Sequence, residues 1–159
     1  MLSGRSPAVW LILVAVLCFG AVGAALVSQY YFDMLPCPWC TFQRLIFIVT
    51  GLLALVGALM PALLQRLLAL LATVMAACGI ASALWQHFVA AASDSCALTL
   101  ADRVMQSLGL FRIAPSIFSP QASCADAAVN LLGLPYEFWS LGLFAIAGLA
   151  CARVSFARR

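Results

Sequence analysis

The chain has 159 residues, 66% hydrophobic and only 8% charged, with a mean hydropathy of +1.13, which excludes a soluble globular domain and marks a polytopic membrane protein. Its net charge of +3 comes from eight scattered arginines, with no lysine, against five acids. No basic stripe of the kind nucleic acid requires is present.

The first apolar run covers about 7–27, with Arg5 before it and Gln29, Tyr30, Tyr31 and Phe32 after it. Its length exceeds the roughly 7 to 15 residues of a signal-peptide core and it ends in an aromatic belt, so it reads as a retained span. Cys18, in mid-span, reads as a small buried hydrophobe.

Pro36-Cys37-Pro38-Trp39-Cys40 follows, and the chain is organised around it. Pro38 suits the first position of a helix, which makes Cys37 the N-cap and puts Cys40 at the third position, where free amides and the helix dipole favour a thiolate. Two cysteines one turn apart can meet the Cα separation of about 4.4 to 6.8 Å that a disulfide needs. Two plainer readings are half a zinc site, which needs two further ligands, and a purely structural disulfide. Arg44, four residues on and on the same face, favours chemistry. A guanidinium in an apolar span costs about 2.5 to 3.5 kcal/mol at mid-bilayer, and such groups are functional candidates.

From Thr41 to His87 the sequence is almost unbroken apolar, and as one helix it would be about 70 Å long, twice what a bilayer needs. It must fold back. Gly57, Pro61 and Gln65-Arg66 mark the turn, giving spans over about 41–59 and 66–87. Ala54 with Ala58, and Gly79 with Ala83, place small residues one turn apart, where helices approach closely. Cys78, again in mid-span, reads as packing.

A polar interval, about 88–135, holds Cys96 and Cys124. Thr99 and Asp102 resemble a capping box, and Leu100, Val104, Leu108 and Phe111 recur at helical spacing. They predict a short amphipathic helix, at the membrane surface or packed within the loop, ended by Pro115 and Pro120. The last span, about 136–153, opens with Glu137 and the interfacial aromatics Tyr136, Phe138 and Trp139. The expected fold is therefore all-α, a four-transmembrane-helix bundle forming one integral membrane domain over 1–159, with loops about 28–40 and 88–135 on one side.

Arg5, Arg66, Arg153, Arg158 and Arg159 fall on one side of these spans without an acid. Arg44, Arg103 and Arg112 share the other with all five acids. The positive-inside rule then places both termini in the cytoplasm and both loops outside. Cys37, Cys40, Cys96 and Cys124 lie on the oxidising side, while Cys18, Cys78 and Cys151 lie within spans.

Two outer cysteine pairs beside a membrane suggest an electron relay. The CPWC run followed by Gln43-Arg44, the pair Cys96 and Cys124, and Ser123-Cys124-Ala125-Asp126 before Leu131-Leu132-Gly133 resemble the disulfide bond formation protein B (DsbB) family over nearly the whole chain. The resemblance implies a bacterial inner-membrane protein-disulfide:quinone oxidoreductase. Such an enzyme reoxidises a periplasmic thioredoxin-fold thiol oxidase of the DsbA type and passes electrons to ubiquinone or menaquinone. It makes Cys37 and Cys40 the quinone-proximal pair, Cys96 and Cys124 the partner-facing pair, and Arg44 a quinone-site residue. His87 is either a quinone contact or an ordinary interfacial histidine. It also implies an order of exchange: the partner joins Cys96, Cys124 attacks Cys37, and Cys40 leaves as thiolate. A vitamin K epoxide reductase-like enzyme is a rival, but there the loop cysteines precede the CxxC. The other rival is a non-catalytic membrane subunit held by structural disulfides.

Overall fold

The computed structural model describes residues 6–92 and 99–157. In chain order its elements are α1 (Pro7–Tyr31), α2 (Pro38–Leu59), α3 (Ala62–Trp85) continued by a π turn (Gln86–Ala90), α4 (Leu100–Ser107), α5 (Leu110–Ile113), α6 (Pro115–Phe118), β1 (Asn130–Leu131), β2 (Leu134–Pro135) and α7 (Tyr136–Phe156). Among the described residues four helices are long and apolar enough to cross a membrane: α1, α2, α3 with its π turn, and α7.

The boundaries follow from local chemistry. Proline stands in the first turn of both α1 and α2, where a missing N–H costs nothing. α1 runs on to Tyr31, four residues beyond the expected end, so the belt residues Tyr30 and Tyr31 form its last turn. The fold-back is tighter than the sequence suggests. Met60 and Pro61 are extended and α3 restarts at Ala62, leaving Gln65 and Arg66 inside the helix.

α2 packs on α1 and α3, α3 on α7, and α7 closes against α1, so the four spans form a ring with one continuous core. Small residues let the helices approach. Ala54, Ala69, Ala72 and Ala76 are buried, and a Cβ on Gly79 would meet the Phe144 ring, which itself stacks on Phe47 with centroids 3.7 Å apart. Cys18 and Cys151 belong to this core. Cys78 does not: it is exposed on the outer face of α3, so the expectation that it serves packing fails.

In the long loop, Thr99 and Asp102 form the full capping box. The helix it starts is shorter than the apolar spacing suggests. It ends at Ser107, because Gly109 adopts φ +69°, and Leu110 opens a separate turn. Pro115 starts α6 instead of ending a helix, as a proline at a helix start can. Ala101 and Met105 of α4 are fully buried, and α4 and α6 both pack on α2. Gln121 and Ala122 donate their N–H groups to Pro36 O at 2.9 and 3.3 Å, which ties the long loop to the entry of α2.

Candidate active site

The start of α2 builds the first sulfur pair. Cys37 is the N-cap with extended backbone, Pro38 fills the first helical position, and the Cys40 N–H donates to Cys37 Sγ at 3.2 Å. The two Sγ atoms lie 2.6 Å apart. Cys124 joins them from the long loop. Ser123 accepts from the Asp126 N–H at 3.1 Å and donates to its carboxylate at 2.7 Å, forming a turn that holds Cys124 at the end of its tether. Cys37 and Cys124 are both buried in one cluster with Trp39, Ala90 and Ala101.

Cys37 thus stands between two sulfurs. Its hydrogen bonds to Cys124 and then to Cys40, together with burial, push its thiol well above the ordinary range. Cys124 is held below that range, first by the hydrogen bond from Cys37. Burial opposes this, and the Trp39 N–H adds a further donor. The middle sulfur keeps its proton while its loop-side neighbour favours the thiolate. Cys96, the fourth sequence-predicted cysteine, lies outside the described residues.

A chain of buried amides reaches the other neighbour. Gln86, in the π turn, donates Nε2–H to Cys40 Sγ at 3.3 Å, and its Oε1 accepts from Gln43 Nε2 at 2.7 Å. Both glutamines are almost fully buried. Arg44, one turn below Cys40, is anchored by Nη1–H bonds to Gln29 Oε1 at 2.7 Å and Ile117 O at 2.9 Å, and by a longer one to Ala25 O. Among the described residues no carboxylate pairs with it, so its charge is left for a ligand or a thiolate.

Cys40, Gln43, Arg44 and Gln86 form one wall of a cavity of about 230 Å³ whose other walls come from α1 and α7, including Ala21, Ala25, Tyr136 and Glu137. An apolar chamber with amide, guanidinium and phenol groups gathered beside a cysteine sulfur suits a flat apolar ring that carries hydrogen-bond acceptors. A quinone has that chemistry, and Arg44, Gln43 and Tyr136 are the residues able to hold its oxygens. His87 does not line this chamber. Its Nδ1 lies 2.6 Å from Glu137 Oε1, and it faces a second cavity, of about 220 Å³, that Ala128, Asn130 and Pro135 help to enclose.

The family described as Disulfide bond formation protein DsbB matches residues 7–154, a stretch that carries both the CPWC turn and Cys124. The chain belongs to the DsbB family. Its relatives include Disulfide bond formation protein B 1 of Pseudomonas syringae pv. syringae, 31% identical over 86% of this chain and 82% of the relative. Disulfide bond formation protein B of Dechloromonas aromatica is 32% identical over 86% of this chain and 84% of its own length. The Cupriavidus metallidurans protein of that name is 31% identical over 83% and 82%. As a DsbB-family protein with four span-length helices, the chain is a multi-pass membrane oxidoreductase of disulfide bond formation.

Sequence reasoning missed several groups of this DsbB-family site. Gln86 and Gln29 belong to no motif, and Glu137 was seen only as a helix-start residue. The signal that finds them is the cost of polarity. Gln29, Gln43 and Gln86 interrupt apolar spans, and a polar side chain kept there has a partner to satisfy.

Proposed function

We propose that the chain is a protein-disulfide:quinone oxidoreductase that reoxidises a periplasmic DsbA-like thiol oxidase and delivers the electrons to a membrane quinone. The observation that carries the reading is the row of three sulfurs, Cys124, Cys37 and Cys40, running from the long loop to the wall of the cavity that Arg44 lines.

The relay starts with Cys96–Cys124 and Cys37–Cys40 both oxidised. A partner thiolate attacks Cys96, forming a mixed disulfide and releasing Cys124 as thiolate. Cys124 attacks Cys37, and the electron pair of the broken Cys37–Cys40 bond goes to Cys40. The partner's second thiolate displaces Cys96, which leaves the partner oxidised. Cys96 then attacks Cys124, restoring the loop disulfide and freeing Cys37. The geometry supports this order, since Cys37 is the sulfur that Cys124 touches, and the Trp39 N–H is a donor that stays available to the Cys124 thiolate while Cys37 is in its disulfide. Cys40 is the better leaving group, with the helix N-terminus, the Gln86 amide and the Arg44 charge beside it.

A bound quinone supplies a sink for two electrons and two protons. Arg44 holds positive charge where negative charge develops, in surroundings that screen it weakly. Arginine distribution supports an inner-membrane setting with cytoplasmic termini and loops facing the periplasm. The test is to incubate the purified protein with reduced DsbA-type oxidase and quinone, follow quinol formation, and locate the trapped mixed disulfide by mass spectrometry. Quinol formation with the adduct on Cys96 is expected. Absence of quinol removes the proposal, and an adduct only on Cys124 reverses the relay.

A further inference from the structure

Electrons and protons reach the cavity beside Cys40 by different roads. The relay releases thiol protons in the loops, whereas a quinol forms only where two protons arrive at the cavity. Among the cavity-lining groups, the Arg44 guanidinium keeps its protons and the amides of Gln43 and Gln86 do not titrate. Cys40 is occupied as the redox sulfur. Tyr136 and Glu137 remain, and of these Glu137 is joined to a second acid–base group.

Glu137 is unusual in its placement. Its side chain is only 6% exposed, yet it lines two cavities, the one beside Cys40 and the one beside β1 and β2. His87 Nδ1 is its hydrogen-bond partner at 2.6 Å. His87 itself is 32% exposed, and its ring is fixed edge-on between Phe88 and Phe138, with centroids 4.8 Å away in each case. An imidazole held this way can take a proton at one nitrogen and give one up at the other. The other charged or titratable groups around the pair are Cys40 and Arg44 from α2, Tyr136 from α7 and Cys124 from the loop, while α1 contributes none to this cavity.

We propose that His87 and Glu137 form a proton conduit from the loop-side medium into the cavity beside Cys40. Glu137 releases a proton from its carboxyl into the cavity, His87 replaces it through Nδ1, and His87 Nε2 takes up the next one from the second cavity. Solvent exchange at the ring then returns the proton to Nδ1, and a second passage completes the two protons that match the two electrons delivered per quinol. The inference rests on the proposed function, which supplies the electrons, and concerns the route of the protons alone.

The experiment uses the full chain in lipid vesicles with ubiquinone and reduced DsbA-type oxidase. Wild type comes first: if it forms no quinol, the proposed function itself fails. Given wild-type turnover, Glu137→Gln keeps the shape and a hydrogen bond to His87 but removes the acid. It is expected to slow quinol formation by on the order of 100-fold, the usual scale for loss of a general acid. Quinone affinity, read by equilibrium titration, should stay within about threefold, the small end of mutational binding effects. The infrared difference spectrum on reduction should lose a carboxyl band, and proton uptake read with a pH-indicator dye should slow in step. His87→Gln should show the same defect and regain rate with added imidazole, which decides the matter if Glu137→Gln does not fold. A Glu137→Gln protein with wild-type rate and an unchanged carboxyl region overturns the conduit. So does a variant that only loses quinone affinity, or a His87→Gln protein that imidazole does not rescue.

Discussion

Cys18 and Cys151 are buried as completely as Cys37, all three at 0% exposure, yet the two sets of sulfur sit in opposite chemical settings. In the core, Cys18 and Cys151 are surrounded by apolar side chains such as Leu11, Val14, Phe144 and Ala147, and among the described residues no hydrogen bond reaches either sulfur. At the loop end, a backbone N–H, an amide and neighbouring sulfurs converge on Cys37, Cys40 and Cys124. Burial by itself makes a thiol inert, because it withholds the solvation a thiolate needs. Burial with donors supplied makes a thiolate selective, since the protein's own N–H groups replace water and nothing else can approach.

The comparison breaks most sharply at Cys40. Cys40→Ala should abolish quinone-coupled turnover while leaving membrane insertion intact, since insertion depends on the apolar spans; residual quinol formation in that variant contradicts the relay. Arg44→Met keeps volume but removes the one cation that, among the described residues, lines the cavity with that sulfur. Its rate of quinol formation should fall on the order of 100-fold, the scale of losing one oxyanion-type donor. Thermal stability in detergent should change far less, and an unchanged quinone dependence would make Arg44 purely structural. At the small end, Cys18→Ala with Cys151→Ala should leave turnover unaltered and cost about 1 kcal/mol of stability per site through lost packing. A measurable loss of activity there would mean that the core thiols take part in the chemistry.

The parts of the site that were legible in the sequence are those where chain order and spatial order coincide. Cys37, Pro38 and Cys40 share one helix start, and the N-cap geometry expected from the proline is the one observed. The capping box of Thr99 and Asp102 is equally local. What stayed hidden depends on contacts between distant segments. Gln86 meets Cys40 across 46 residues and His87 meets Glu137 across 50, and no periodicity announces either. The length of α4 departs from the apolar spacing for a related reason. Apolar spacing continues through Leu108 and Phe111, but the left-handed Gly109 separates them, and a backbone angle leaves no mark on a hydrophobic pattern.

The π turn at the end of α3 amounts to one surplus residue in an otherwise regular helix. Gln86 and His87 stand at its start, anchored to Cys40 and to Glu137, whereas Phe88 and Val89, farther along, are exposed. Deleting one codon at Val89 would let the turn relax to ordinary α geometry while those two anchors stay where they are. The chain leaving at Ala91 would keep nearly its present direction, because a π turn takes up one extra residue without turning the helix beyond it. A residue can therefore be gained or lost at this point of the helix while the bonds of Gln86 to Cys40 and of His87 to Glu137 keep their places.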